Sequence, residues 1–111
     1  MMNLQGKKVL VFGSGKSGIG AADLLEQTGA TPVIYDGNEK IDKEAVLHKI
    51  PHHSRTEVYA GELPKEVQDS LDLVVLSPGV PTDIPMVRAL YEQGLPVWGE
   101  VELAYRTGKG R

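Results

Sequence analysis

The chain has 111 residues, a length that suits one hydrophobic core and leaves no room for two. With 41% hydrophobic and 24% charged residues, its composition is that of a globular domain and not of a disordered tract. Twelve Lys and Arg against fifteen Asp and Glu leave a net charge of -3, which argues against a basic nucleic-acid-binding face. The absence of Cys removes disulfides, thiolate zinc sites, iron–sulfur clusters and cysteine nucleophiles. The longest purely aliphatic stretch, Leu73–Leu76, is far below the roughly 20 residues of a membrane span. Met1–Lys8 holds no apolar run fit for a signal peptide, so a soluble cytoplasmic domain is expected. Thirteen Gly are the skewed count, and their positions carry the reading that follows.

Val9-Leu10-Val11-Phe12 is an all-apolar run closed by glycine, as suits a parallel strand buried on both faces. After Lys16 the spacing turns helical. Ser17 is the expected cap, Ile19, Ala21, Ala22, Leu24 and Leu25 form the apolar stripe, and Asp23, Glu26 and Gln27 face away. Gly29 is the expected left-handed stop. Thr31 to Tyr35 reads as a second strand ending at Asp36-Gly37-Asn38, which completes a βαβ unit. A short helix over Ile41 to Leu47, a strand over Thr56 to Ala60 and a helical turn over Pro64 to Ser70 are weaker features. Leu71 to Leu76 is a buried strand ending in Ser77-Pro78-Gly79-Val80-Pro81. Pro85 to Gln93 follows as a helix stopped by Gly94, then Pro96-Val97-Trp98 as a strand and Glu100 to Thr107 as a last helix. Strands alternating with helices predict an α/β domain with a mainly parallel five-stranded sheet.

Gly13-Ser14-Gly15-Lys16-Ser17-Gly18 matches G-x-G-x-x-G between a predicted strand and a predicted helix. In such loops the first glycine permits the tight turn, the second admits a phosphate to the backbone, and the third lets helix and strand pack closely. The helix start then offers unpaired N–H groups and about half a positive charge to an anion. Gly15-Lys16-Ser17 also resembles the tail of a triphosphate-binding P-loop, but the glycine needed five positions earlier is Leu10. Asp36 stands 18 residues after Gly18, where an acidic side chain accepts ribose hydroxyls; its alternative role is that of a turn aspartate before Gly37-Asn38. Ser77-Pro78-Gly79 closes the fourth strand beside the expected switch point, either as a ligand-facing loop or as a rigid turn.

His48, His52 and His53 fall on a loop without a paired carboxylate, so no metal site is expected. Trp98 reads as core. No nucleophile–base arrangement or carboxylate pair is placed for acid–base work, so no catalytic residue is assigned. The chain is expected to hold a nucleotide without transforming it.

Gly-Lys-Lys-Val-Leu-Val-Phe-Gly-Ser-Gly-Lys-Ser-Gly at 6–18, Asp36, Ser-Pro-Gly-Val-Pro at 77–81 and Gly-Glu-Val-Glu-Leu-Ala-Tyr at 99–105 occur together and in order. This set resembles the N-terminal, Rossmann-like doubly wound domain of the Mur ligases, in the MurD branch that adds D-glutamate to UDP-N-acetylmuramoyl-L-alanine. The resemblance covers essentially the whole chain and implies a role in peptidoglycan precursor synthesis, and so in cell-wall biogenesis, cell shape and division. It implies that UDP lies against Gly15, Lys16, Ser17 and Gly18, then Asp36, Gly37 and Asn38, then Ser77, Pro78 and Gly79. Gly37-Asn38 replaces the larger polar or basic pair common in relatives. ATP and Mg would act on a central ATPase domain and a C-terminal domain, and the chain is expected to be an excised, inactive domain of that larger enzyme. No nucleic acid or membrane partner is expected.

Three alternatives compete with this reading. The sister ligase that adds L-alanine would carry a denser glycine loop after a histidine, which Val11-Phe12-Gly13 does not offer. An NAD(P)-binding module of a dehydrogenase or regulatory sensor fits the glycine loop and Asp36 equally well, but not the later motifs. A helix-flanked interaction domain with an empty cleft is the third.

Overall fold

In a computed structural model of the chain, residues 5–13, 15–50, 55–76 and 85–99 are described, with 16, 17 and 86 described by backbone alone. The elements run β1 (Lys8–Phe12), α1 (Lys16–Thr28), β2 (Thr31–Asp36), α2 (Lys43–His48), β3 (Glu57–Ala60), α3 (Lys65–Ser70), β4 (Leu73–Leu76), α4 (Pro85–Glu92) and β5 (Val97–Gly99). The strands form one sheet in the order β3-β2-β1-β4-β5, and every neighbouring pair is parallel.

Strand alternation divides the core into two layers. Val9 and Val11 of β1, Ile34 of β2, and Leu73 and Val75 of β4 pack with Ala21, Ala22 and Leu25 of α1 and Val46 of α2. Leu10, Val33, Tyr35, Val74 and Leu76 point the other way and meet Val87 and Leu90 of α4, with Val67 of α3 beside them. The strand order accounts for the helix placement. From β1 through β3 the chain moves outward in one direction, then returns past β1 and moves the other way from β4 to β5. Crossovers of constant right hand put helices on opposite faces when the direction reverses, so the two sides of the sheet are covered in turn.

Most elements match the sequence-based expectation within two residues. Gly29 adopts φ 89° at the end of α1, and its N–H reaches back to Glu26 O. Gly94 takes φ 96° after α4. Trp98 is 8% exposed and belongs to the core, as expected. α2 begins later than Ile41 because Asp42 caps it, its side chain accepting the N–H of Ala45 at 3.1 Å. β4 begins at Leu73 because Asp72 is engaged at the sheet margin, its Oδ2 accepting the N–H of Lys8 at 3.0 Å.

Two details of α1 depart from expectation. The helix is not capped by Ser17: Gly15 is the cap residue, its carbonyl accepting the N–H of Ile19 at 2.9 Å, so Ser17 lies inside the first turn. Glu26 does not face water. Its side chain is 1% exposed and pairs with Arg55 at 3.1 Å, because position 26 lies on the flank of the buried stripe and a cation from the start of β3 reaches it. The expected helix over Glu100 to Thr107 lies outside the described residues, as do His52 and His53, whereas His48 ends α2 and does not lie on a loop. Among the described residues no helix is long and apolar enough to cross a membrane.

Candidate nucleotide site at the carboxyl edge of the sheet

In the parallel ladder Phe12 is opposite both Tyr35 and Leu76, so β1, β2 and β4 end side by side. The direction of the chain reverses between β1 and β4, which makes this edge the switch point at which open α/β sheets offer a crevice. Gly13 leaves β1 with φ 116°, a backbone region that favours glycine, and its N–H donates to the carbonyl of Tyr35 at 2.8 Å. That bond ties the exit of β1 to the end of β2.

The other two glycines of the motif have opposite surroundings. A Cβ built on Gly18 would collide with the carbonyl oxygen of Gly13, which is backbone and cannot swing away. Gly18 is therefore the close helix–strand contact expected of the third glycine. A Cβ on Gly15 would meet nothing within 4 Å, and the residue is exposed. Gly15 opens a helix of 13 residues with no acidic residue in its first turn. Among the described residues no side chain caps this start. Its first N–H groups have no partner within the helix, and the aligned peptide dipoles make the spot attractive to an anion.

Asp36, half-buried at the last position of β2, does the work of a turn residue. Its Oδ1 accepts the N–H of Asn38 at 2.9 Å, and the Asn38 Oδ1 accepts the N–H of Lys40 at 3.0 Å. Two successive side-chain-closed turns thus shape residues 36–40, with Gly37 exposed between them. A carboxylate offers about four acceptor positions, so the turn does not exhaust Asp36 as an acceptor. The parallel pairing of β1 and β2 brings Gly13, the start of α1 from Gly15 and residues 36–38 to the same edge. Ser77, Pro78 and Gly79 lie outside the described residues, although β4 ends at Leu76 directly before them.

Sequence reasoning missed the aromatic support beneath this edge. Tyr35 is 9% exposed, and its ring meets Phe12 edge to face with centroids 5.2 Å apart. Its hydroxyl donates to the carbonyl of Gly61 at 2.7 Å. Burial pushes the Tyr35 phenol above the ordinary tyrosine range, and Asp36, Glu62 and Glu39 add to the shift. Tyr59 is also raised, first by its hydrogen bond to Glu57 at 2.8 Å and then by burial. The signal available in sequence was an aromatic directly before Asp36, but its partner Gly61 is 26 residues away. Among the described residues no group of three or more His, Cys, Asp or Glu is placed to hold a metal ion.

Solved structures share this fold. A shikimate dehydrogenase from Aquifex aeolicus superposes with a TM-score of 0.55 at 18% identity, covering 96% of this chain and 47% of the other. SirC, a precorrin-2 dehydrogenase, gives the same TM-score and identity over 86% of this chain and 46% of its own. At such identity the likeness is one of fold. Closer relatives exist in sequence. The UDP-N-acetylmuramoylalanine–D-glutamate ligase of Lachnoclostridium phytofermentans is 51% identical over 110 residues, and that of Lachnospira eligens 46% identical over 110. Each alignment covers 99% of this chain but 24% of the relative, so the chain spans about a quarter of the length of the ligases it matches. The family model of the Mur ligase MurD-like N-terminal domain matches residues 7–99. On this match and these identities, the chain belongs to the family of MurD-like N-terminal domains of Mur ligases.

Proposed function

We propose that the chain is the UDP-substrate-binding domain of a cytoplasmic ligase that adds D-glutamate to UDP-N-acetylmuramoyl-L-alanine during peptidoglycan precursor synthesis. In this reading the diphosphate lies on the backbone N–H groups of Gly15, Lys16, Ser17 and Gly18. The ribose hydroxyls donate to Asp36, with Gly37 and Asn38 beside it, and Ser77, Pro78 and Gly79 complete the set of UDP contacts. Residues 1–111 act as a single binding domain. ATP, Mg and D-glutamate act in the part of the relatives' length that this chain does not span, so the domain alone binds without catalysing. It needs neither nucleic acid nor membrane.

The observation that carries the reading is the contrast between Gly18 and Gly15. Gly18 is accounted for by packing inside the domain. Gly15 is not: its open side and the uncapped helix start suit an anion that approaches the backbone. The name of the similar ligases supports a UDP sugar as that anion. A titration followed by amide NMR tests it. UDP is expected to shift the signals of Gly15 to Gly18, Asp36 and Gly79, and NADH is expected to leave them in place. If NADH moves these amides and UDP does not, the site is a nicotinamide cofactor site and the ligase reading fails.

A further inference from the structure

Asp36 sits at a strand end, where a backbone is held only as firmly as its neighbours hold it. Gly61 is that neighbour. It follows β3 with φ 79°, its N–H donates to the carbonyl of Asp36 at 2.8 Å, and its own carbonyl receives the Tyr35 hydroxyl at 2.7 Å. A Cβ at Gly61 would collide with the Glu39 side chain, so the turn also closes against the loop that follows Asp36. Tyr35 is fixed on its other side. Its ring rests on Phe12, and its carbonyl accepts the N–H of Gly13, the first residue of the glycine loop. One residue therefore bonds to the glycine loop through its backbone and to the β3 turn through its phenol, and the residue that follows it is Asp36.

We propose that Tyr35 is a positioning residue for nucleotide recognition: through the Gly61 carbonyl, its hydroxyl fixes the Asp36 carboxylate at the right distance from the glycine loop to receive ribose hydroxyls. The inference rests on the reading of the site as a UDP site. The phenol lies beneath the edge with its hydroxyl engaged by the Gly61 carbonyl, so the role proposed for it involves no ligand contact. Its effect is orientational, in the way that supporting hydrogen bonds hold a binding group within a fraction of an ångström of its working geometry.

A double-mutant cycle on the 111-residue chain tests this, with UDP as the probe and calorimetry as the readout. Tyr35→Phe deletes one oxygen and keeps the ring on Phe12. It is expected to raise the Kd for UDP about fivefold in the parent and to have no further effect in an Asp36→Ala background. It is also expected to shift the Asn38 amide, which donates to Asp36, before any ligand is added. The parent is expected to bind 2′,3′-dideoxy-UDP more weakly than UDP, and Tyr35→Phe is expected to leave that weaker affinity unchanged. Equal binding of UDP by Tyr35→Phe and parent overturns the proposal, as does an equal loss in both backgrounds. Equal binding of the two ligands by the parent overturns it without needing any variant to fold. Those results leave UDP binding intact, whereas a parent that fails to bind UDP at all removes the underlying site reading as well.

Discussion

Gly15 and Gly18 stand three residues apart on one loop and carry opposite constraints. At Gly18 a methyl group has nowhere to go, because the obstacle is the carbonyl of Gly13 and not a side chain. Gly18→Ala is expected to destabilise the chain by about 2 kcal/mol, in the range of overpacking a filled interior, and thermal melting checks it. At Gly15 the backbone has φ -73° and the space beyond is open, so Gly15→Ala is expected to melt within roughly 0.5 kcal/mol of the parent, as surface substitutions do. Its UDP affinity should nevertheless fall about tenfold, because the methyl group occupies the place of the phosphate. Unchanged affinity would make Gly15 a cap and nothing more. Asp36 allows a similar separation of roles. Asp36→Asn keeps an oxygen to close the turn with Asn38, while Asp36→Ala removes it. The alanine variant is expected to lose about 1.5 kcal/mol of UDP binding, the worth of a hydrogen bond to a charged acceptor, and the asparagine variant about half of that. Equal binding by all three forms would return Asp36 to the turn alone.

At the scale of elements, α1 is anchored at both ends by different chemistry. Its start is locked to β1 through Gly18. Its last turn is locked to the start of β3 through Glu26, whose Oε2 accepts the N–H of Arg55 at 2.9 Å and the Thr56 hydroxyl at 2.7 Å. Arg55 also reaches the carbonyls of Ala30 and Glu26, so it spans the turn between α1 and β2. Removing the cation leaves a carboxylate with 1% exposure and fewer partners. The Arg55 side chain is itself 43% exposed, and Glu26 keeps the residue-55 N–H and the Thr56 hydroxyl. Arg55→Ala is therefore expected to cost about 1.5 kcal/mol. Arg55→Lys should cost somewhat less, since the three donors of Lys sit on one nitrogen and do not span the sites that the guanidinium fork reaches. Denaturant melts of the two variants would check this, and a loss below about 0.5 kcal/mol would show the pair to be an ordinary surface bridge. This cluster also marks the limit of what sequence carried. The βαβ unit, the stops at Gly29 and Gly94, the turn at Gly13 and the close packing at Gly18 were legible, because each rests on local geometry or short-range periodicity. Glu26 was not, although it lies eight residues after Gly18 and four after Ala22, on the flank of the buried stripe. Its partners are about 30 residues away and the chain between them gives no period to follow. The same separation hid the bond from Tyr35 to Gly61, whereas the glycine loop and Asp36 were visible because one βαβ unit holds both.

For the whole molecule, the arrangement of charge matters more than its sum. The chain is acidic overall, and Asp36, Glu39 and Glu62 all act on the phenol of Tyr35 at the edge proposed for a diphosphate. An anion held there must be bound by the local backbone of the α1 start and not by the general field. The same carboxylates help to keep Tyr35 protonated, which is the state in which it can donate to Gly61. The linkage follows in sign. A phenol raised in the folded state retains its proton where the unfolded chain has already released it, so the folded state binds more protons and stability falls as pH rises. The contribution is complete below about pH 10, where unfolded tyrosine titrates, and disappears as pH climbs through the higher folded value. Tyr59, raised by its bond to Glu57, adds to the loss in the same direction. Urea denaturation of the parent at pH 9 and pH 11 should show the fall, and Tyr35→Phe should show a distinctly shallower one, because the slope that Tyr59 contributes remains. Parallel slopes in the two proteins would mean that the Tyr35 phenol is not held in its neutral form by the fold, and that the support beneath Asp36 is weaker than its 2.7 Å bond implies.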